Sequence, residues 1–199
     1  MSRGDLQARL TRALAAADGS SSDFDLNLDV APPLSADLRP AAVLLGIEAR
    51  PSGPVVYLTK RAATMRHHPG QIAFPGGKVD AADRGSAEVA ALREAREEIG
   101  LPPGAARVLG ALPHHVTVTH FRVVPIVAMI DTPFKPRAEP GEVDEVFTVP
   151  LDHVLNPDNY LVQSRYWQGR ARKYYVVPYG PYYIWGATAR MLRVLADQF

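Results

Sequence analysis

At 199 residues, 47% hydrophobic and 22% charged, the chain has the composition of a globular protein that buries a core. A formal net charge of +1 excludes both self-repelling disorder and a generic polyanion binder that works through a basic excess. The absence of cysteine removes disulfides, thiolate zinc sites and thiol nucleophiles together, so any metal must sit on oxygen or imidazole. The near-neutral total is an average over unlike parts. Residues 131–159 hold seven acids, among them Glu142 and Glu145, against Lys135 and Arg137, whereas residues 160–199 set six bases against Asp197 alone. An acidic segment beside a basic one suits a metal-bound, polyanionic small molecule.

In chain order, Leu6, Leu10 and Leu14 at i, i+4, i+8 predict a short amphipathic N-terminal helix, with Asp5 and Asp18 opposing a transit-peptide reading. Gly19 to Asp25 reads as a Ser/Asp-rich loop, and Pro32, Pro33 and Pro40 keep the next stretch irregular. Ala41 to Glu48 and Val55 to Lys60 read as strands of a hairpin with a loop of several residues, followed by a short run from Gln71 to Phe74 and the turn Pro75-Gly76-Gly77. Ser86 as N-cap and Gly100 as stop delimit a helix ending at Ile99. Strands are expected at Arg107 to Leu112, Phe121 to Ile130 and Glu145 to Val149, then a short helix from Leu151 to Leu155. Tyr160 to Trp167 and Arg172 to Pro178 read as a second hairpin, and a helix closes the chain from about Trp185 to Gln198. Val123 to Ile130, the longest strongly apolar run, has eight residues and contains Pro125, so it reads as a buried strand and not a membrane span. The pattern predicts one α+β domain with helices on a mixed sheet, and a cytosolic location.

The chemistry concentrates in Arg93-Glu94-Ala95-Arg96-Glu97-Glu98-Ile99-Gly100. At about 100° per residue, Glu98 lies roughly 40° to one side of Glu94 and Glu97 roughly 60° to the other, so all three carboxylates leave one helix face. Val89, Leu92, Ala95 and Ile99 are expected on the opposite, sheet-facing side. A solvated acidic face is the bland reading. Against it, Glu94 and Glu98 repel at i,i+4 and the last helical turn is already negative, costs of about 0.2–1 kcal/mol each. A divalent cation removes both, and oxygen ligands select Mg²⁺ or Mn²⁺. Arg93 is placed to fix the Glu97 rotamer. Ahead of the helix, Gly76 and Gly77 allow backbone to approach a ligand where a Cβ would intrude.

Gly77 with Arg93-Glu94-Ala95-Arg96-Glu97-Glu98-Ile99-Gly100-Leu101 resembles the box of the Nudix hydrolases. The loop glutamate of that box is missing, Asp80 or Asp83 being its candidate substitutes, and Gly77 to Arg93 is two residues longer than the common spacing. Tyr57-Leu58-Thr59-Lys60-Arg61-Ala62, Arg66, Gly70 and Phe74-Pro75-Gly76-Gly77 are similar to the signature of the coenzyme A pyrophosphatase branch, which also has the longer loop; Tyr57 in place of Leu is the one departure. The two motifs span residues 57–101, and Trp185-Gly186-Ala187-Thr188-Ala189 resembles the branch's final helix.

The resemblance implies an α/β/α sandwich over the whole chain, with its core at about residues 38–170 and both terminal helices packed on it. It implies Mg²⁺- or Mn²⁺-dependent hydrolysis of the diphosphate of coenzyme A to 3′,5′-ADP and 4′-phosphopantetheine. Carried over residue by residue, Glu94 and Glu98 are metal ligands, Glu97 holds a second ion or a water, and Gly76 offers its carbonyl. The general base is left open between Glu97, Glu142 and Glu145. Arg61 and Arg66 are candidates for phosphate recognition through their guanidinium forks. Other substrates in the same chemistry are NADH, ADP-ribose and nucleoside triphosphates, and a non-catalytic nucleotide-binding module is the alternative from another class. The implied partner is a small nucleotide, not a nucleic acid or a membrane, and a homodimer is left open. His67, His68, His114, His115 and His120 show no familiar ligand spacing and read as ordinary polar residues. The C-terminal tyrosines read as core or as an adenine-stacking surface.

Overall fold

The computed structural model describes residues 2–65, 68–167 and 169–199. The leucine spacing does form a helix, α1 (Arg3–Ala16), which buries Leu6, Leu10 and Ala13 and is capped reciprocally by Ser2 and Asp5. A two-residue strand, β1 (Ser21–Ser22), lies inside the segment that reads as a loop; its partner is 94 residues away in sequence, so no local pattern announces it. β2 (Arg39–Arg50) and β3 (Gly53–Arg61) form the expected hairpin, but Arg50 pairs with Gly53 and the loop is only Pro51-Ser52. Gly53 makes this possible by adopting a φ of 117°, which lets pairing restart immediately.

β4 (Ile72–Ala73) and β5 (Gly76–Lys78) follow, the latter pairing with Ala41 to Val43 where the sequence suggests only a turn. Helix α2 (Ala87–Ile99) has Ser86 Oγ accepting from the Val89 N–H and ends on Gly100 in the left-handed region, as the capping residues predict. Then come β6 (Ala106–Ala111), β7 (His115–Val116), β8 (Phe121–Ile130), β9 (Val143–Pro150) and α3 (Leu151–Leu155). The hairpin β10 (Leu161–Trp167) and β11 (Arg170–Val176) stands apart as its own two-stranded sheet, and α4 (Gly186–Ala196) closes the chain.

The main sheet runs β1-β7-β8-β2-β3-β4, with β5 added to β2, β6 to β8 and β9 to β3. It is mixed: β2 and β8 pair in parallel over ten residues, whereas β3, β5, β6 and β9 join antiparallel. Alternation along the strands builds two cores. Ala42, Leu44, Tyr57, Ile126 and Ala128 face α2, while Leu45, Ile47, Val56, Leu58, Val127 and Met129 face α1, α3 and α4. The result is the α/β/α arrangement, of α+β class, that the resemblance implies. Leu192 of α4 is fully buried in the larger core. Leu192→Ala is expected to cost about 2–5 kcal/mol, read as a lower urea midpoint at unchanged slope.

Tyr57, the departure from the branch signature, has a local reason. Its hydroxyl donates to Glu48 Oε2 at 2.7 Å and accepts from Arg50 at 3.0 Å, and the same Glu48 oxygen accepts from Arg50 Nε at 2.6 Å. Burial and the Glu48 carboxylate push the phenol up to about 12, so it stays protonated and donating. Tyr57→Phe removes both hydrogen bonds of the hydroxyl while Glu48 keeps Arg50, and is expected to lower stability by about 1–2 kcal/mol in denaturant titration. No helix of the described residues is long and apolar enough to cross a membrane.

Candidate active site

The central helix sits deeper on the sheet than its heptad of apolar residues suggests. Ala90, Ala91, Ala95 and Ile99 are buried, but so is Glu98 at 6% exposure, whereas Val89, expected to face the sheet, is 49% exposed. Small alanines let the helix approach closely, and the sheet below offers Glu98 polar partners, so the buried stripe is rotated toward the carboxylates. Glu98 Oε2 accepts the Gly76 N–H at 3.1 Å.

The two glycines explain that approach through space and not backbone conformation. A Cβ on Gly76 would press into the β2 backbone, 2.7 Å from Val43 Cα, and a Cβ on Gly77 would enter the Glu94 carboxylate, 2.5 Å from its Cδ. Pro75-Gly76-Gly77 is therefore the contact between the sheet and the two glutamates that the sequence singles out.

Burial pushes Glu98 up to about 7; the Gly76 N–H and Arg61 oppose the shift, while Glu94 and Glu142 reinforce it. Burial likewise raises Glu94, with Arg93 opposing and Glu97 and Glu142 adding repulsion. Glu142 is thus brought into the electrostatic field of the helix carboxylates from the turn before β9, and it lines the same cleft. Glu145 is not brought there. It shares a strand parity with Phe147 and Val149 of the opposite core, and its Oε1 accepts the Tyr182 hydroxyl at 2.5 Å. Glu97 stands at the rim, its side chain 50% exposed and bonded through Oε2 to Arg93 at 2.9 Å.

Arg93 does more than hold Glu97. Its Nε and Nη2 grip both oxygens of Asp83 at 2.9 and 3.0 Å, and its Nη1 also reaches Glu94 Oε1 at 3.0 Å. Asp83, one of the two candidate replacements for the missing loop glutamate, is buried and also accepts the Asp80 N–H at 2.8 Å. Its place in the molecule is to tie the long loop to the helix through Arg93, while Asp80 remains largely exposed at the cleft edge. The Arg93 hydrogen bonds, then the Asp80 N–H, hold the Asp83 carboxyl below the ordinary value of 3.8. A carboxyl lowered by folding binds its proton more readily in the unfolded chain, so its contribution is complete above 3.8 and is lost as pH falls through the lower folded value. Asp83→Asn is expected to flatten the acid side of a melting-temperature profile below pH of about 4 and to lower the plateau above it.

Arg61 shares the strand parity of Tyr57 and Thr59, which turns it toward α2, and a register shift between Lys60 and Arg61 moves its pairing in β9 to Val143. Its Nε is buried with no hydrogen-bond partner, the one such side-chain atom among the described residues. A buried guanidinium N–H without an acceptor is costly, and Arg61 lines the same cleft as Glu94, Glu98 and Glu142. Arg66 and His67, also named from the sequence, lie outside the described residues. His115 is buried, with Ser21 Oγ at 2.9 Å and Asp23 Oδ1 at 3.1 Å, which accounts for it as a clamp between β1 and β7. Tyr175, Tyr179 and Tyr182 pack on the larger core, and Tyr174, Tyr175 and Trp185 line the cleft.

The cleft measures about 1490 Å³, and besides Gly76, Gly77 and Lys78 it is lined by Arg165, Arg172 and Lys173 of the β10–β11 hairpin. Motif reading missed these hairpin residues, for which the only sequence signal is the basic excess after residue 160. Among the described residues, no three His, Asp or Glu side chains converge closely enough to hold a metal by themselves.

A NUDIX domain model matches residues 37–168. The chain is 44% identical over 160 residues to an uncharacterized Nudix hydrolase, NudL, of Salmonella paratyphi B, covering 80% of this chain and 82% of that relative. The NudL of Salmonella enteritidis is similar to the same degree, 44% over 160 residues. Among solved structures, the Nudix hydrolase RenU of M. smegmatis superposes with a TM-score of 0.50 at 26% identity, over 58% of this chain and 73% of that one. The carboxylate helix, the glycine contact and these likenesses agree: the chain belongs to the Nudix hydrolase family, enzymes that cleave acid anhydride bonds in small nucleoside diphosphate derivatives.

Proposed function

We propose that this protein hydrolyses the diphosphate of coenzyme A or its derivatives, releasing 3′,5′-ADP and 4′-phosphopantetheine, as a single Nudix domain with its terminal helices packed on the core. The branch signature from Tyr57 to Gly77 supports that choice within the family, and the observation that carries it is Arg61. A buried, acceptor-less guanidinium N–H beside three mutually repelling carboxylates is what a phosphate bridged to a cation would complete.

The donor set fits Mg²⁺ or Mn²⁺, which Nudix enzymes generally use. Glu94 and Glu98 would hold the ion with Glu97 or the Gly76 carbonyl near it, and so few protein ligands suit Mg²⁺, which retains water and substrate phosphates. When bound, the ion supplies charge neutralisation on the diphosphate oxygens and Lewis acidity. The chain's own residues do the rest. Arg61 orients a phosphate, Gly76 and Gly77 let it approach the backbone, and Arg93 fixes the Glu94 and Glu97 rotamers. Glu142 is the group best placed to take a proton from the attacking water, because Glu97 is occupied by Arg93 and Glu145 by Tyr182.

Incubation with Mg²⁺ and coenzyme A, NADH or ADP-ribose, with products identified by mass, tests the assignment. Release of 3′,5′-ADP supports it, and cleavage of NADH with coenzyme A untouched sinks it.

A further inference from the structure

A cleft of about 1490 Å³ exceeds the roughly 300–1,000 Å³ of an ordinary small-molecule pocket. Arg61 and the glutamates line it, and so do Arg165, Arg172 and Tyr174 of the β10–β11 hairpin. In the hairpin register Arg165 stands directly across from Arg172, and Gln163 across from Tyr174, so both arginines leave the same face of the ribbon. Like charges directly opposite one another destabilise a strand pair, and an isolated two-stranded sheet has little stability to lose.

The surroundings hold this arrangement in place. Arg165 lies over the Trp185 ring at 5.6 Å and Arg172 over the Phe24 ring at 5.5 Å. The Asn27 side chain accepts the Lys173 N–H at 2.8 Å and donates to the Lys173 carbonyl at 2.9 Å, taking the place of a third strand at that edge. The carboxylates on this wall are engaged elsewhere: Asp25 pairs with Arg190 at 2.8 Å, and Asp23 takes the Val118 N–H at 2.9 Å and His115. Among the described residues, no carboxylate forms an ion pair with Arg165 or Lys173. Cations gathered on one wall of a cleft that also carries a diphosphate site select a substrate with a second anionic group.

We propose that Arg165 and Arg172 form a subsite for a phosphate monoester other than the diphosphate that is cleaved. This rests on the reading above and deepens it: in coenzyme A the group is the ribose 3′-phosphate. The test compares kcat/KM for coenzyme A and 3′-dephospho-coenzyme A in the wild type, Arg165→Gln and Arg172→Gln, with calorimetric binding of 3′,5′-ADP against AMP. Using the ratio of two substrates on one preparation cancels any loss of folded protein.

The wild type is expected to favour the phosphorylated substrate by roughly 10–100-fold, the worth of a charge-assisted contact, and each variant to lose most of that ratio. An unchanged ratio in both variants, with coenzyme A still cleaved, overturns the subsite and leaves the diphosphatase reading standing. Coenzyme A left intact, with 3′,5′-ADP bound at least about tenfold tighter than AMP in the wild type and not in the variants, overturns that reading and supports the subsite.

Discussion

Glu98→Gln is expected to lower kcat/KM at saturating Mg²⁺ by roughly 10²-fold or more while the protein remains folded. The size follows from what the carboxylate does. Glu98 is buried at 6% exposure, shares its field with Glu94 and Glu142, and is the innermost of the three acids. Gln keeps the shape and its Oε1 still accepts the Gly76 N–H, so the change removes charge and little else. One of three mutually repelling groups is neutralised, so stability without metal should not fall. The cation effect should fall: Mg²⁺ should raise the melting temperature of the wild type and not of the variant, because ligand binding to the native state is what supplies that rise. Full activity in Glu98→Gln would remove it from the metal site, and a lost fold by circular dichroism would show a structural role instead.

Second, alanine at the two adjacent glycines is expected to separate stability from activity. At Gly76 the new methyl meets the β2 backbone at Ala42 and Val43, which cannot move without disturbing the central strand. Gly76→Ala should therefore destabilise by about 1–3 kcal/mol or more. At Gly77 the three atoms nearest the methyl all belong to the carboxylate end of Glu94, a side chain that can swing away. Gly77→Ala should melt near the wild-type temperature yet lose roughly 10²-fold in kcat/KM, because a displaced ligand forfeits the preorganised geometry on which catalysis depends. Equal melting temperatures for the two variants would show that the close approach of β5 to β2 is not as tight as described. Wild-type activity in Gly77→Ala would show that the Glu94 position is immaterial.

The parts of this molecule that could be read in advance are those whose determinants are local. The capped helix from Ser86 to Gly100, the strand from Phe121 to Ile130 and the short helix from Leu151 to Leu155 all follow from caps, apolar runs and stop residues within a few positions of themselves. Glycines before a Glu-rich helix likewise mark the site, because spacing on a helix fixes which carboxylates share a face. Where the expectation failed, the cause lay at long range. β1 exists only because it pairs with β7, a distant partner, and β5 pairs with β2 where Pro-Gly-Gly suggests a turn. Val89 was expected inward because it is apolar; the sheet instead selected the alanine stripe and supplied Glu98 with an N–H donor.

The sequence by itself determined the residue types at the site: no cysteine, three glutamates on one helix, two glycines ahead of it, and an arginine-rich approach. Their residue types and spacings are properties of the chain alone. Only the tertiary structure set the places of Glu97, Glu142 and Glu145, since sheet parity and the hydrogen bonds of Arg93 and Tyr182 leave Glu142 lining the cleft with Glu94 and Glu98. It also decided that the Arg61 Nε is buried with an unused N–H and that the β10–β11 arginines share the cleft. Burial and charge proximity arise when distant strands close on one another, and those two quantities set both the raised carboxylates and the position of the cations that face them.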